Sequence, residues 1–544
     1  MFCYQCEQTR AGQGCDQGGV CGKTSQVSDL SDLLTYYLKT LALTATRARA
    51  AGYNDRAADR FLVRGLYASL TNVDFDPNSL SELLDRAVHH RERLLKASGI
   101  RLGEEYCPSL AESLSEREIQ AQAYPLGSLG SEEAYLAKEA ISLRETALYG
   151  LRGLAAYVWH AQNLGYEDDA LYAALEEALA KTLDSSLGVE DLLALALEVG
   201  RINLTAMELL DKAHTESFGH PEPTKVELGY HKGPAILISG HDLGDLKDLL
   251  NQINGQDIKV YTHGEMLPAH GYPDLKGPDL CGHYGTGWPN QVRELNKFPG
   301  PIVFTSNCLT KPDDAYIDRV FLTGPVAYPG VRRLHKDASG KIDFGPVIKS
   351  AIKCAGYKYH NQQDKVTVGW GHKAILSQAQ AVVNLIKIGK LQKILLVGGC
   401  DGGKSSRDYY RQLVAKTKAD TLVLTLGCGK FRFFDLNLGD IGGVPRLLDL
   451  GQCNDAFTAI TVAAALAGAL EMSLGDLPLY LILSWFEQKA CAILLTLLHL
   501  GIKNIRLGPS LPAFVHPNIL SVLVDKYNLA PTTTPEGDLA AIGA

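Results

Sequence analysis

Six short apolar runs in the second half of this chain each lead to a residue able to bind metal or move a proton. "AILISG" leads into His241, "IKVYTHG" into Glu265 and "PIVFTSN" into Cys308. "ILLVGG" leads into Cys400, "TLVLTLG" into Cys428, and "LYLILSWF" into Glu487 with Lys489 two residues on. Cys453, in "DLGQCNDAF", sits in a loop before an Ala-rich segment and could complete the set. Runs of this length and composition read as strands, and in an open α/β sheet ligands gather beyond the carboxyl ends of the strands. Taken singly, each residue has a plainer use. A Cys after a strand is usually a small buried hydrophobe, and a lone His or Glu is more often a cap or a surface group. Independent packing residues need not all land on one edge, and that coincidence is what points to metal.

A plain cubane of iron and sulfide wants four thiolates. Imidazole and carboxylate beside the thiols favour iron atoms that also carry oxygen and keep room for a small substrate. Lys489 and the carboxylates can supply protons to a product that leaves as water or amine. The residues therefore suit reduction of a small polar molecule.

A second group opens the chain. Cys3, Cys6, Cys15 and Cys21 give C-x2-C-x8-C-x5-C with many glycines between. Four thiolates in a compact Gly-rich loop can hold an iron–sulfur cluster or a structural zinc. The spacing departs from both ferredoxin patterns, so spacing alone leaves the two open; a second cysteine-rich site downstream favours iron–sulfur. Of the remaining cysteines, Cys354 and Cys491 fall in helical apolar contexts and read as packing. Cys107 lies in a loop before Pro108, and Cys281, in "DLCGHYGTG", is the one whose loop position would bring it nearest the site; it is unassigned.

One motif competes. Gly398 to Ser405 fits G-x-x-x-x-G-K-[ST], the phosphate-cradling loop, between an apolar run and a helical segment. Such a loop usually needs a neighbouring strand ending in Asp to hold magnesium, and none of the six runs ends so. Cys400 within it, and cysteines at neighbouring strand ends, suit a soft metal better than a phosphate. The glycines then let the backbone turn tightly and bring the Cys400 sulfur close to a bulky centre.

The elements that must position these residues divide the chain in three. Residues 1–220 show apolar residues at three- and four-residue spacing, Ser and Asp at N-cap positions and Gly after several ends, which predicts a helical domain without strands. Phe218–Gly229, with two prolines, reads as a linker. Residues 221–364 and 365–544 alternate short strands with helices, the mark of parallel layering; a polar break at Tyr357–Lys365 separates them and "VTVGW" opens the last third. Length alone allows about three or four domains.

At 544 residues, 46% apolar and 21% charged with a net charge of −8, the composition is that of an ordinary soluble chain and argues against a general nucleic-acid or anionic-membrane binder. The longest apolar stretch, Ala456–Leu470, is short for a bilayer and reads as a buried helix. The chemistry begins at the third residue with no targeting peptide ahead of it, so the cytoplasm is the expected location. Twelve cysteines without an export signal are better explained by metal than by disulfides.

Taken together, "MFCYQCEQT", "SGHDL", "THGEMLPAHGYP", "FTSNC", "LVGGCDG", "TLGCGK" and "SWFEQKA" resemble the hybrid-cluster (prismane) proteins, or hydroxylamine reductases, over essentially the whole length. The resemblance implies a helical first domain followed by two Rossmann-like, doubly wound parallel-sheet domains, with the hybrid cluster at the domain interface. It implies a proximal [4Fe-4S] cluster, rather than [2Fe-2S], on Cys3, Cys6, Cys15 and Cys21. It further implies a hybrid [4Fe-2O-2S] cluster on His241, Glu265, Cys308, Cys400, Cys428, Cys453 and Glu487, with Cys400 as a persulfide and Lys489 close by. The implied reaction is reduction of hydroxylamine to ammonia and water, with electrons entering through the proximal cluster, Glu265, Glu487 or Lys489 managing protons and Cys400 essential. Nitric oxide is a further implied substrate, with a part in nitrosative stress. The chain shows no dinucleotide fingerprint or flavin motif, so a separate electron-donor protein is expected, and a monomer. Two rivals stand beside this reading: a carbon monoxide dehydrogenase-like enzyme, and a nitric-oxide scavenger, sensor or S-nitrosylation factor that uses the same clusters.

Overall fold

The computed structural model describes residues 1–103, 106, 115–127 and 137–543; Cys107 lies outside them. The helical expectation for the first part holds. Helices α1 (Ser25–Ala50), α2 (Arg56–Ala68), α3 (Pro77–Ser98), α4 (Glu116–Ala123), α5 (Lys138–Asn163), α6 (Asp169–Lys181) and α7 (Val189–Phe218) fill it. Short polar side chains start several of them: Thr24, Asp55, Asp76 and Asp168 each accept an orphan main-chain N–H of the first turn. Among the described residues no strand precedes Thr224, though single β-bridges join Cys3 to Cys15 and Asp74 to Ala327.

Two parallel six-stranded sheets follow. The first contains β2 (Ala235–Ser239), β3 (Lys259–His263), β4 (Leu280–His283), β5 (Ile302–Phe304), β6 (Val320–Leu322) and β7 (Arg332–Arg333), in the order β4-β3-β2-β5-β6-β7. The second contains β9 (Lys393–Gly399), β10 (Thr421–Thr425), β13 (Leu447–Asp449), β14 (Leu479–Ser484), β15 (Ile505–Gly508) and β16 (Ala530–Pro531), in the order β13-β10-β9-β14-β15-β16. Central strands such as Ala235–Ser239 and Thr421–Thr425 are buried at every position, as strands covered on both faces must be. Each sheet is doubly wound: the chain moves outward along one half and then returns to lie beside its own first strand.

Two expectations change. The stretch expected as a linker contains β1 (Thr224–Glu227), and "VTVGW" supplies β8 (Lys365–Val368); these pair antiparallel with each other and join neither large sheet. Their alternating burial, with Val226, Val366 and Val368 inward and lysines outward, is that of strands covered on one face only. A hairpin of β11 (Asp440–Ile441) and β12 (Val444–Pro445) leads into β13.

The helix that carries the last site residues is seated by glycines. Ala456–Leu470 forms α8, and Gln488–His499 forms α9, which lies in the groove between α5 and α7. A Cβ on Gly153 would stand 2.3 Å from the Gln488 carbonyl oxygen, and one on Gly200 would stand 2.2 Å from that of Leu495. Only glycine lets α9 approach both helices this closely. With the turn that precedes it, α8 makes an apolar stretch of 18 residues, Cys453–Leu470, half of which is buried inside the fold. It is therefore less enclosed than expected, with Ala464 and Gly468 exposed.

Candidate metal centres

The crevice of a doubly wound sheet opens where the strand order reverses. In the first sheet that point lies between β2 and β5, and the residues following these strands are His241 and Cys308. In the second it lies between β9 and β14, followed by Cys400 and Glu487. Both reversals thus carry site residues, and β3, β10 and β13 add Glu265, Cys428 and Cys453 beside them.

The two sets meet. One ligand atom each from His241, Glu265 and Cys453 lies within 4.8 Å of the others, all three side chains being buried. Cys453 Sγ is 3.3 Å from His241 Nε2, and the Cys453 N–H donates to Glu265 Oε2 at 2.8 Å. The other carboxylate oxygen, Glu265 Oε1, is buried and has no hydrogen-bond partner. An orphaned buried carboxylate oxygen is costly unless something electropositive takes it up. His241 is similarly prepared. Ser306 Oγ donates to the Asn307 carbonyl at 3.1 Å and therefore accepts from His241 Nδ1 at 2.8 Å, leaving the Nε2 lone pair facing the site.

Cys308, Cys400 and Cys428 share one packed cluster with Phe486, Phe431 and Trp288. Burial pushes every thiol of the set up, Cys400 to about 12, and the neighbouring carboxylates and thiols push further: Glu487 acts on Cys308, Cys400 and Cys453, and Glu265 on Cys428. Burial raises Glu265 and Glu487 too, and holds His241 well below its ordinary value with help from Lys489. Burial alone would lower Lys489, but Cys453 and Glu487 hold it well above the usual lysine range; its Nζ lies 3.1 Å from His241 Nε2. A dry pocket of four thiols, two carboxyls and an imidazole, mutually destabilising as anions, is what a polynuclear cation would relieve. The residues fit an iron–sulfur group.

At the N-terminus the Cys3 and Cys15 main chains exchange hydrogen bonds at 3.0 and 2.8 Å, which folds the loop on itself. Cys6 and Cys15 are buried, Cys3 and Cys21 half-buried, and all the described cysteines are free thiols. Burial raises Cys6, and Cys3, Cys21 and Cys15 raise it further, so the four thiols are neighbours close enough to act on one another as charges. A Cβ on Gly19 would stand 3.0 Å from Cys21 Sγ, which explains a glycine there.

The sequence left several partners unnoticed. Tyr157 Oη donates to the Cys453 carbonyl at 3.4 Å, Asn307 Nδ2 approaches Cys308 Sγ at 3.5 Å, and the Asp401 N–H donates to Cys428 Sγ at 2.9 Å. Only Asn307 and Asp401 had a signal, as immediate neighbours of cysteines. Cys281 is a correction. It lies within β4, its thiol turned to the Pro278 and Asp279 carbonyls among Tyr230 and Tyr284, outside the ligand cluster, because the run before "GHYGTG" is strand rather than loop. In the phosphate-loop-like stretch three amides are already committed: Cys400 N–H to Ser484 O, Asp401 N–H to sulfur and Gly402 N–H to Asp401 Oδ1. A Cβ on Gly399, at φ +110°, would stand 2.1 Å from Ser484 O. Gly399 thus brings the end of β9 against β14, and Gly398, whose Cβ would stand 2.7 Å from Leu426 O, brings it against the residue after β10.

Comparison with known proteins agrees with this architecture. A model of the Prismane/CO dehydrogenase family matches residues 1–540. The chain is 49% identical over 547 residues to a hydroxylamine reductase from Syntrophobacter fumaroxidans, and 48% identical over 548 residues to one from Methanocella arvoryzae, covering 100% of both chains in each case. Among solved structures, carbon monoxide dehydrogenase IV from Carboxydothermus hydrogenoformans superposes with a TM-score of 0.56 at 17% identity, over 99% of this chain and 91% of that one, which shows a shared fold. The chain belongs to the Prismane/CO dehydrogenase family.

Proposed function

We propose that this chain is a hydroxylamine reductase, taking NH2OH with two electrons and two protons to ammonia and water. The observation that carries the reading is the meeting of His241, Glu265 and Cys453 with Cys308, Cys400, Cys428 and Glu487 where both sheets reverse. Full-length identity to hydroxylamine reductases supports it. On this reading Cys3, Cys6, Cys15 and Cys21 hold a [4Fe-4S] cluster, and the seven strand-edge residues hold a hybrid [4Fe-2O-2S] cluster with Cys400 as persulfide. When bound, these groups supply electrons and an open position for a small nitrogen or oxygen ligand.

The chain's own residues do the rest. Lys489 presents ammonium protons beside His241, at 3.1 Å, and can give one to the oxygen that leaves as water. Glu487 caps α9 by accepting the Lys489 N–H at 2.7 Å, which fixes the carboxylate and the amine together. Glu265, anchored through one oxygen, keeps the other for iron or for a proton. The surrounding cluster of Phe486, Phe431 and Trp288 keeps water out, so each proton must come from a placed group.

We further assign residues 1–220, 221–364 and 365–544 to three domains with the hybrid cluster between them, working as a monomer in the cytoplasm with a separate electron-donor protein. Nitric oxide is a second substrate of the same site. The test is turnover of hydroxylamine under reduced dye without oxygen: many equivalents of ammonia per chain, at two electrons each, support the reading. A single stoichiometric binding event contradicts it and favours a sensor or scavenger.

A further inference from the structure

The phosphate-loop-like run of Gly398 to Ser405 holds a carboxylate of this same chain. Lys404 Nζ lies 2.6 Å from Glu7 Oε1 and donates to the Glu7 carbonyl at 3.0 Å. Arg407, fully buried, sets Nη2 3.1 Å from Glu7 Oε2. Ser510 Oγ donates to Glu7 Oε1 at 3.1 Å. Gly403 lies beside the next residue, Gln8: a Cβ there would stand 2.8 Å from Gln8 Nε2. The lysine and arginine after the Gly-rich turn thus receive the residue that follows Cys6.

The same grip reaches the other site. Arg407 Nη1 donates to the Cys400 carbonyl at 3.2 Å, and its Nη2 to the Trp485 carbonyl at 2.8 Å. The Glu7 N–H donates to the Phe486 carbonyl at 3.0 Å, one residue before Glu487. Cys6, Cys400, Cys428 and Phe486 belong to one apolar cluster, so the gap between the two cysteine groups is dry and packed. From Cys6 the link runs through one peptide unit to the Glu7 nitrogen, across one hydrogen bond, and through the Phe486 carbonyl to the Glu487 nitrogen. The alternative contact, Gln488 Nε2 to the Gln5 carbonyl at 3.0 Å, passes through a whole side chain.

We propose that electrons cross from the N-terminal cysteine site to the strand-edge site through the hydrogen bond from Glu7 N–H to Phe486 C=O, and that Glu7, Arg407 and Lys404 are the positioning residues that hold this bridge closed. The inference rests on reading both sites as iron–sulfur centres. In each crossing the N-terminal centre loses one electron, the strand-edge centre gains it, and an external one-electron donor restores the first; no bond forms or breaks. Removing one partner of a buried ion pair leaves a charge uncompensated, so Glu7→Gln loosens the bridge while keeping its amide and shape.

The test uses the iron-loaded full chain. A photoreduced dye delivers one electron, and freeze-quench electron paramagnetic resonance follows its passage between the centres, beside iron content and midpoint potentials. The expected result is a passage slowed about tenfold or more in Glu7→Gln, with iron and potentials kept, and a smaller slowing in Lys404→Met, whose side chain is 40% exposed and which leaves Arg407 in place. Native rates in both variants overturn the bridge and leave the iron–sulfur reading standing. If Glu7→Gln does not load iron, Lys404→Met decides alone: slowing supports the bridge and a native rate overturns it. A native chain holding one kind of centre overturns both the bridge and the reading beneath it.

Discussion

The main-chain N–H of Cys453 donates to Glu265 Oε2 at 2.8 Å, tying a residue that follows β13 of the second sheet to one that follows β3 of the first. This bond fixes one oxygen of Glu265 and leaves Oε1 free and buried. Glu265→Gln keeps an acceptor for Cys453 but replaces the free oxygen with an amide that cannot ligate iron as an anion. Hydroxylamine turnover should fall by about 10–100-fold or more, with strand-edge iron lost and N-terminal iron kept. Iron per chain and steady-state ammonia formation read both.

Cys400 separates the two centres. Cys400→Ala is expected to abolish turnover while the N-terminal centre keeps its spectrum, because that centre's thiols, Cys3, Cys6, Cys15 and Cys21, lie on a loop whose Cys3 and Cys15 main chains pair with each other. An unchanged hydroxylamine rate would remove the strand-edge site from the reaction.

Gly153 sets the seat of α9. In Gly153→Ala the new methyl meets the Gln488 carbonyl at 2.3 Å, between Glu487 and Lys489. The clash is against backbone, so the helix must shift, at about 1–3 kcal/mol. Thermal unfolding should come earlier and turnover should fall, while Gly165→Ala, where a Cβ meets nothing, costs only its left-handed backbone and leaves turnover native.

Cys281 is the control among cysteines. Its thiol lies within β4 against local carbonyls, so Cys281→Ala should keep native iron content and turnover. Loss of iron in that variant would place it among the ligands.

Asp74 gives a pH dependence that does not involve the candidate ligands. Burial pushes its carboxyl up to about 6 from an ordinary 3.8, against Ser79 Oγ at 2.6 Å and the Asp76 N–H at 2.9 Å, which favour the charged form. The folded chain therefore holds this proton more tightly than the unfolded chain. Its contribution is full below the ordinary value and is lost as pH rises through about 6, by about 3 kcal/mol at most. Asp74→Asn should lose less stability than the native chain between pH 4 and pH 7, read as the shift in urea midpoint.

The strand ends were legible because fully buried parallel strands are continuous β-branched runs, and whatever follows them lands on one edge. His241, Cys308, Cys400 and Glu487 could be placed there without knowing strand order. The pairing of β1 with β8 was not legible, since four-residue strands exposed on one face carry little signal and two prolines hid the first. Nor were Ser306, Tyr157 and Arg407, whose roles depend on partners up to several hundred residues away. The Gly-rich turn misled by its pattern: its lysine answers an anion, but that anion is Glu7 of the same chain.

The most direct measurement is iron, acid-labile sulfide and zinc per chain on protein prepared without oxygen. About eight irons with sulfide falling short of iron is the expected result, since two centres are then present and one is partly bridged by oxygen. About four irons, or zinc in their place, would contradict the account and leave His241, Glu265 and Cys453 without the metal their geometry calls for.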